Sequence, residues 1–285
     1  MVGHTMEFSC LKFCNSQENT AQALGICLRL LESNRSSDSV QNTAAATFRQ
    51  AVALILIKWF VLITGDVNRG INLSESLENE FVSGGPSLMR ETLTKAGKLG
   101  LRLLEDLTAL AAGGSASWLR VNSLQRTFVL DILEFILSNY VAVFRTLVPY
   151  EQVLQHQICS LLMTSIRTNS EFEGESGEPY FRRLVLRSVA HIIRLYSASL
   201  ITECEVFLSM LVKVIFLDLP LWHRILVLEI LRGFCVEART LRVLFQNFDM
   251  HPKNTNVVEG MVKALARVVS SVQALATAAL LSSPA

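Results

Sequence analysis

The chain has 285 residues, 51% of them hydrophobic, a mean hydropathy of +0.38 and a formal net charge of +1. A chain of that length buries about three quarters of the surface its unfolded form exposes, enough for one large or two modest cores without staples. The near-neutral balance lacks the strongly positive field on which phosphate-backbone binding depends, which excludes nucleic acid as a main partner.

Met1 to Glu7 has no basic n-region followed by an apolar h-region, so no leader is read there. Cys10 and Cys14 are four apart and share a helix face, but no second Cys/His pair follows at structural-zinc spacing. With Cys27, Cys159, Cys204 and Cys235 they read as reduced core residues of a cytosolic protein.

The richest apolar run, Ala51 to Ile63, spans roughly 20 Å as helix, short of the ~30 Å of a bilayer core, and Lys58 interrupts it. A buried core helix is expected, with an interfacial or spanning segment as the alternative. A break follows from Gly65 to Gly85, where Asp66, Asn68, Gly70, Asn72, Ser74, Ser83 and Gly84 accumulate.

Gly97-Lys98 suggests a phosphate-cradling loop, but Thr92 and Leu99 occupy the positions of its first glycine and its hydroxyl residue. Helix surface is expected there. Ala111 to Ser117, with Gly113 and Gly114, is the next break, and Leu124 to Tyr140 then reads as a helix burying Leu124, Phe128, Ile132, Phe135 and Ile136.

Asn169 to Glu178 carries Glu171, Glu173, Glu175 and Glu178 with two glycines: a solvated acidic loop, or a contact for a basic partner. Pro179 suits the first position of a helix whose apolar side is Leu184, Val185, Val189, Ile192, Ile193 and Tyr196. Arg183, Arg187, His191 and Arg194 fall at helical steps on the other side. Further helices are predicted over Ser199 to Leu217 and Pro220 to Phe234, with Trp222 and Arg224 read as packing, and Met250 to Asn254 is a last short break.

The chemistry of catalysis is not written in the chain. There is no Gly-x-Ser-x-Gly elbow and no His-Glu-x-x-His pair. Glu203 and Glu205 would point about 200° apart on a helix, and the histidines are scattered over separate elements. No catalytic residue, cofactor site or metal site is assigned, and the expected protein is not an enzyme.

Helices of several turns with short links and no strand alternation predict an all-α fold, an α-solenoid of HEAT/armadillo-like helical repeats. Several stretches resemble the N-terminal region of the MON-two family, relatives of the large Golgi exchange factors for Arf GTPases. Leu24-Gly-Ile-Cys-Leu-Arg-Leu-Leu31 and Asn42-Thr-Ala-Ala-Ala-Thr-Phe-Arg-Gln50 resemble the later part of the dimerisation and cyclophilin-binding (DCB) region. Pro179-Tyr-Phe181, Leu200-Ile-Thr-Glu-Cys-Glu-Val-Phe-Leu-Ser209, Pro220-Leu-Trp222 and the box Asn247-Phe-Asp-Met250 resemble the homology-upstream (HUS) region. Leu56 to Ile63 is more apolar than the family's helix, and His251 replaces an acidic or amide residue usual after the box.

The resemblance implies a DCB-like region over 1–110 with an altered segment near 56–85, a HUS-like helical-repeat region over 118–270, and a frayed tail over 271–285. It implies a non-catalytic scaffold, cytoplasmic and peripheral on Golgi, trans-Golgi network or endosome membranes, that engages the Golgi/endosome trafficking machinery and self-associates. Another implied reading is the regulatory front end of an Arf exchange factor. Asn247, Phe248 and Asp249 are the first choice for interaction residues, with Asn247 and Asp249 either fixing the angle between repeats or meeting a partner directly. Arg183, Arg187 and Arg194 form either a solvated face or a contact for an anionic membrane surface.

Overall fold

The computed structural model describes residues 17–33, 36–67, 90, 93–167, 179–217, 219–250 and 255–281. Those residues are all-α, with one isolated bridge, Ala116 to Val121, as the sole β-type pairing among them. They form two compact units, divided at Leu161/Leu162.

In the first unit, α1 (Gln17–Glu32) has Glu18 in its first turn and Arg29 in its last, each opposing the helix dipole's end charge. Its buried stripe of Ala21, Leu24 and Leu28 packs on α2 (Asp38–Val67), whose facing stripe is Ala44, Phe48, Val52 and Ile55. The apolar run Ala51 to Ile63 lies within α2, and Val52, Ile55 and Leu56 are core residues. No helix among the described residues is long and apolar enough to cross a membrane.

Helix α3 (Lys95–Ala111) starts where the Thr94 hydroxyl accepts from the Gly97 amide at 3.2 Å. Packed against α2 and α4 (Arg126–Asn139), it buries leucines on more than one side: Leu99, Leu101, Leu103, Leu104, Leu107 and Leu110. The expectation of helix surface at Gly97-Lys98 is corrected: Gly97 and Gly100 are buried under Tyr150. The Tyr150 hydroxyl donates to the Gly97 carbonyl at 2.9 Å, and a Cβ on Gly100 would lie 2.5 Å from that oxygen. The glycines make a notch for a phenol, not for a phosphate.

Tyr150 belongs to α6 (Val148–Val153), which follows the short α5 (Val141–Thr146) and carries Pro149 in its first turn. The chain passes through a π turn, Leu154–Ile158, directly into α7 (Cys159–Arg167). Helix α4 also differs from its expected face. Ile132 and Ile136 are buried with Val129, Leu130, Leu133 and Leu137, whereas Leu124, Phe128 and Phe135 are only half-buried. The reason is a second neighbour: Phe128 meets Phe48 of α2 with ring centroids 6.0 Å apart, and Arg49 pairs with Asp131, so the buried arc is wider than one stripe.

In the second unit, α8 (Pro179–Tyr196), α9 (Ile201–Val214), α10 (Leu221–Val236), α11 (Ala238–Phe248) and α12 (Val257–Leu281) each contact their sequence neighbour. Contacts also run from α8 to α10 and from α9 to α12, so these helices pack beyond their sequence neighbours. The apolar side expected for α8 is buried in full. Helix α12 continues through Leu281, well into the segment expected to fray. The acidic segment Asn169 to Glu178, Cys10, Cys14 and His251 lie outside the described residues. Of the other cysteines, Cys159 and Cys204 are buried while Cys27 and Cys235 are half-buried, and none of the four is in a disulfide. Burial, with Glu203 adding to it, pushes the Cys204 thiol up to about 12 and keeps it protonated and inert.

Gly100→Ala is expected to destabilise the first unit, because overpacking of about 1–3 kcal/mol outweighs a helix-propensity gain of about 1 kcal/mol. Urea denaturation of Gly100→Ala, Tyr150→Phe and the double variant checks this. The double variant should be more stable than the sum of the single losses, since removing the hydroxyl removes the clash.

Candidate interaction site

The box at the end of α11 is built from three residues that face three directions. Phe248 closes the helix with its ring in the core, 2% exposed. Asn247, one residue earlier, turns about 100° away, and its amide nitrogen donates to the Ser197 carbonyl at 3.3 Å, in the turn between α8 and α9. Asp249 ends α11 and leads out of it, placing a carboxylate at the start of α12: Oδ1 accepts from the Val258 amide at 3.0 Å and Oδ2 from the Glu259 amide at 2.9 Å.

These are the amides that a helix leaves without an internal partner, and a negative charge there is favoured by the dipole of a 25-residue helix. The lead-in is fixed further by the Asn256 amide donating to the Phe248 carbonyl at 3.1 Å, with Asn256 in the left-handed region at φ 50°. Asparagine tolerates that conformation better than most residues. The box therefore ties the α8–α9 turn, the core and the start of α12 together.

The three arginines do not act alike. Arg183 and Arg187 are exposed on α8, four residues apart on one face. Arg194 is turned inward: its Nε donates to Glu237 Oε2 at 3.0 Å and its guanidinium lies 5.0 Å from the centre of the Phe234 ring. A Cβ on Gly233 would come within 2.6 Å of its Nη2, so the glycine leaves room for this arm. Arg194 fastens α8 to the corner between α10 and α11.

Sequence reading missed Arg182. It is 1% exposed, its Nη1 donates to the Ser165 carbonyl in the last turn of α7 at 2.5 Å, and it lies beside buried His223 of α10. The signal was present: Arg182 stands three, four, seven, eleven and fourteen residues before Val185, Leu186, Val189, Ile193 and Tyr196, at the centre of the buried stripe. Burial, with the Arg182 charge adding to it, lowers His223 from its ordinary 6.5 to about 4. No group of His, Cys, Asp and Glu among the described residues is arranged to hold a metal ion.

The class follows from the match of residues 98–257 to the Mon2/Sec7/BIG1-like HUS domain of Sec7-like proteins. Protein MON2 homolog from Xenopus laevis and its Homo sapiens counterpart are each 30% identical over 269 residues, covering 89% of this chain and 15% of their own. Protein MON2 homolog from Drosophila melanogaster is 28% identical over 262 residues, 87% of this chain and 15% of its own. The chain belongs to the MON2 family and carries its DCB-HUS region. It spans about 15% of the length of those curated relatives, and no solved structure matches it.

Asp249→Ala should cost about 1–2 kcal/mol in urea denaturation, the usual loss when a helix's first amides lose their acceptor, while Asp249→Asn should retain most of that stability. His223 gives a pH test. Between pH 6.5 and about 4 the unfolded chain's imidazole binds a proton that the folded one refuses, so stability falls as pH drops through that window, by at most about 3 kcal/mol. Stability measured at a series of pH values should show a shallower fall for His223→Leu than for the parent.

Proposed function

We propose that the protein is a non-catalytic scaffold in Golgi/endosome vesicle-mediated protein transport, cytoplasmic and peripheral on Golgi, trans-Golgi network or endosome membranes. It works through protein–protein and membrane-surface contacts and self-associates through its helical repeats. The observation that carries the reading is the HUS-domain match over 98–257, whose box has an architectural part to play. Asn247, Phe248 and Asp249 then act on partners by holding the surrounding surface in shape.

The membrane-facing part of the proposal rests on Arg183 and Arg187, exposed on one face of α8. Each basic residue near an anionic surface contributes about 1 kcal/mol. A second reading, the regulatory N-terminal region of an Arf guanine-nucleotide exchange factor, is favoured by the family's joint description with Sec7 and BIG1. A contiguous exchange domain in the full-length transcript would select it over the scaffold.

Co-sedimentation with phosphatidylserine-containing liposomes tests the membrane contact. The purified chain should pellet with them, and Arg183→Gln with Arg187→Gln should weaken partitioning about thirtyfold, the equivalent of roughly 2 kcal/mol. Failure of the parent chain to bind either these liposomes or any Golgi trafficking component would remove the scaffold reading.

A further inference from the structure

The first unit carries a groove of about 570 Å³ walled by α1, α3 and the connection between α3 and α4. Ile26 and Trp118 supply apolar surface, and Arg29, Arg102 and Arg120 line it with Glu18, the one acid among the described lining residues. That local excess of positive charge stands out in a chain whose formal net charge is +1. The Arg120–Glu18 pair is 3.8 Å apart with both side chains about 70% exposed, a weak contact that a stronger acceptor displaces.

The wall bearing Trp118 and Arg120 is held in place by its own backbone. Asp106 of α3 is buried, and its carboxylate accepts from the Leu119 amide at 2.8 Å and from those of Trp118 and Ser117. Ala116 and Val121 exchange hydrogen bonds of 2.8 and 3.1 Å across the loop. Gly25 lets α1 come so close that a Cβ there would lie 2.6 Å from the Leu119 carbonyl oxygen. At the tip Arg120 adopts φ 54°, a left-handed conformation uncommon for a long side chain and maintained by its surroundings.

We propose that this groove is a docking site for an acidic peptide segment of a partner protein, with an apolar residue seated between Ile26 and Trp118 and flanking carboxylates on Arg29, Arg102 and Arg120. A guanidinium fork matches a carboxylate in two parallel hydrogen bonds. The concave shape favours a peptide over a membrane, since a flat bilayer meets only the rim. The inference rests on the first unit alone and does not depend on the Arg183–Arg187 membrane contact.

Fluorescence polarisation with the full chain tests it, using a panel of fluorescein-labelled Glu/Asp-rich peptides with Leu, Phe or Trp at each position and matched Gln/Asn-rich peptides. Acidic peptides should bind at least about tenfold tighter than their amide counterparts, with affinity falling as salt rises. Arg120→Gly, which suits the left-handed backbone, should keep the thermal midpoint and weaken acidic-peptide binding at least about fivefold. Trp118→Ala should remove the preference for an apolar anchor, and Arg29→Gln with Arg102→Gln should lower the salt dependence. Equal affinity for acidic and amide peptides overturns the proposal, as does unchanged binding by Arg120→Gly and by the Arg29/Arg102 double variant. So does loss of phosphatidylserine-liposome binding in these variants with no acidic peptide bound, which would assign the groove to lipid.

Discussion

A buried or half-buried aspartate taking up the backbone N–H groups of a connecting segment is the interaction on which the arrangement of each unit depends. Asp106 does this from within α3, gathering the amides of residues 117–119, and Asp249 does it from the end of α11, gathering the first amides of α12. In both cases the helices supply apolar area while the carboxylate supplies direction. Apolar burial is non-directional, so without such a contact the packed stripes would tolerate several entry angles. Desolvation raises the Asp106 carboxyl above its ordinary range and the amides it accepts from oppose that rise, so the same three hydrogen bonds that shape the loop keep the charge tolerable.

Several helices have more than one packed side, and that shapes their chemistry. α3 meets α2, α4 and α6, and α8 meets α9 and α10. A helix enclosed in this way must place its polar residues where a partner waits. Arg182 reaches the Ser165 carbonyl in the last turn of α7, and Arg194 lies between a carboxylate and an aromatic ring. Cations that look interchangeable along α8 therefore divide into two that hold the fold, Arg182 and Arg194, and two that face outward, Arg183 and Arg187.

The surface left over is not uniform. The first unit offers a charged concavity beside a rigid loop, and the second offers exposed basic residues on α8 and apolar residues such as Leu221, Ile225, Val262 and Val269 on α10 and α12. The side chains on these surfaces are held in register by a frame that does not yield, which is the office of the two aspartates and of the Gly97–Tyr150 notch.

Sequence by itself determined the helical class and the break after Ala111, because the 3.6-residue period and the proline, glycine and cap residues act within a few residues of where they stand. The starts at Pro179 and beyond Pro220 and the buried face of α8 were legible for that reason. The family was legible too, in the order of its motifs. Only the tertiary structure decided that Gly97 and Gly100 receive a tyrosine from 50 residues on, that Arg194 differs from Arg183, and that Trp118, Arg29 and Arg102 share a groove. Those outcomes depend on which helices become neighbours. A residue's own period states that one side is covered; it does not state by what.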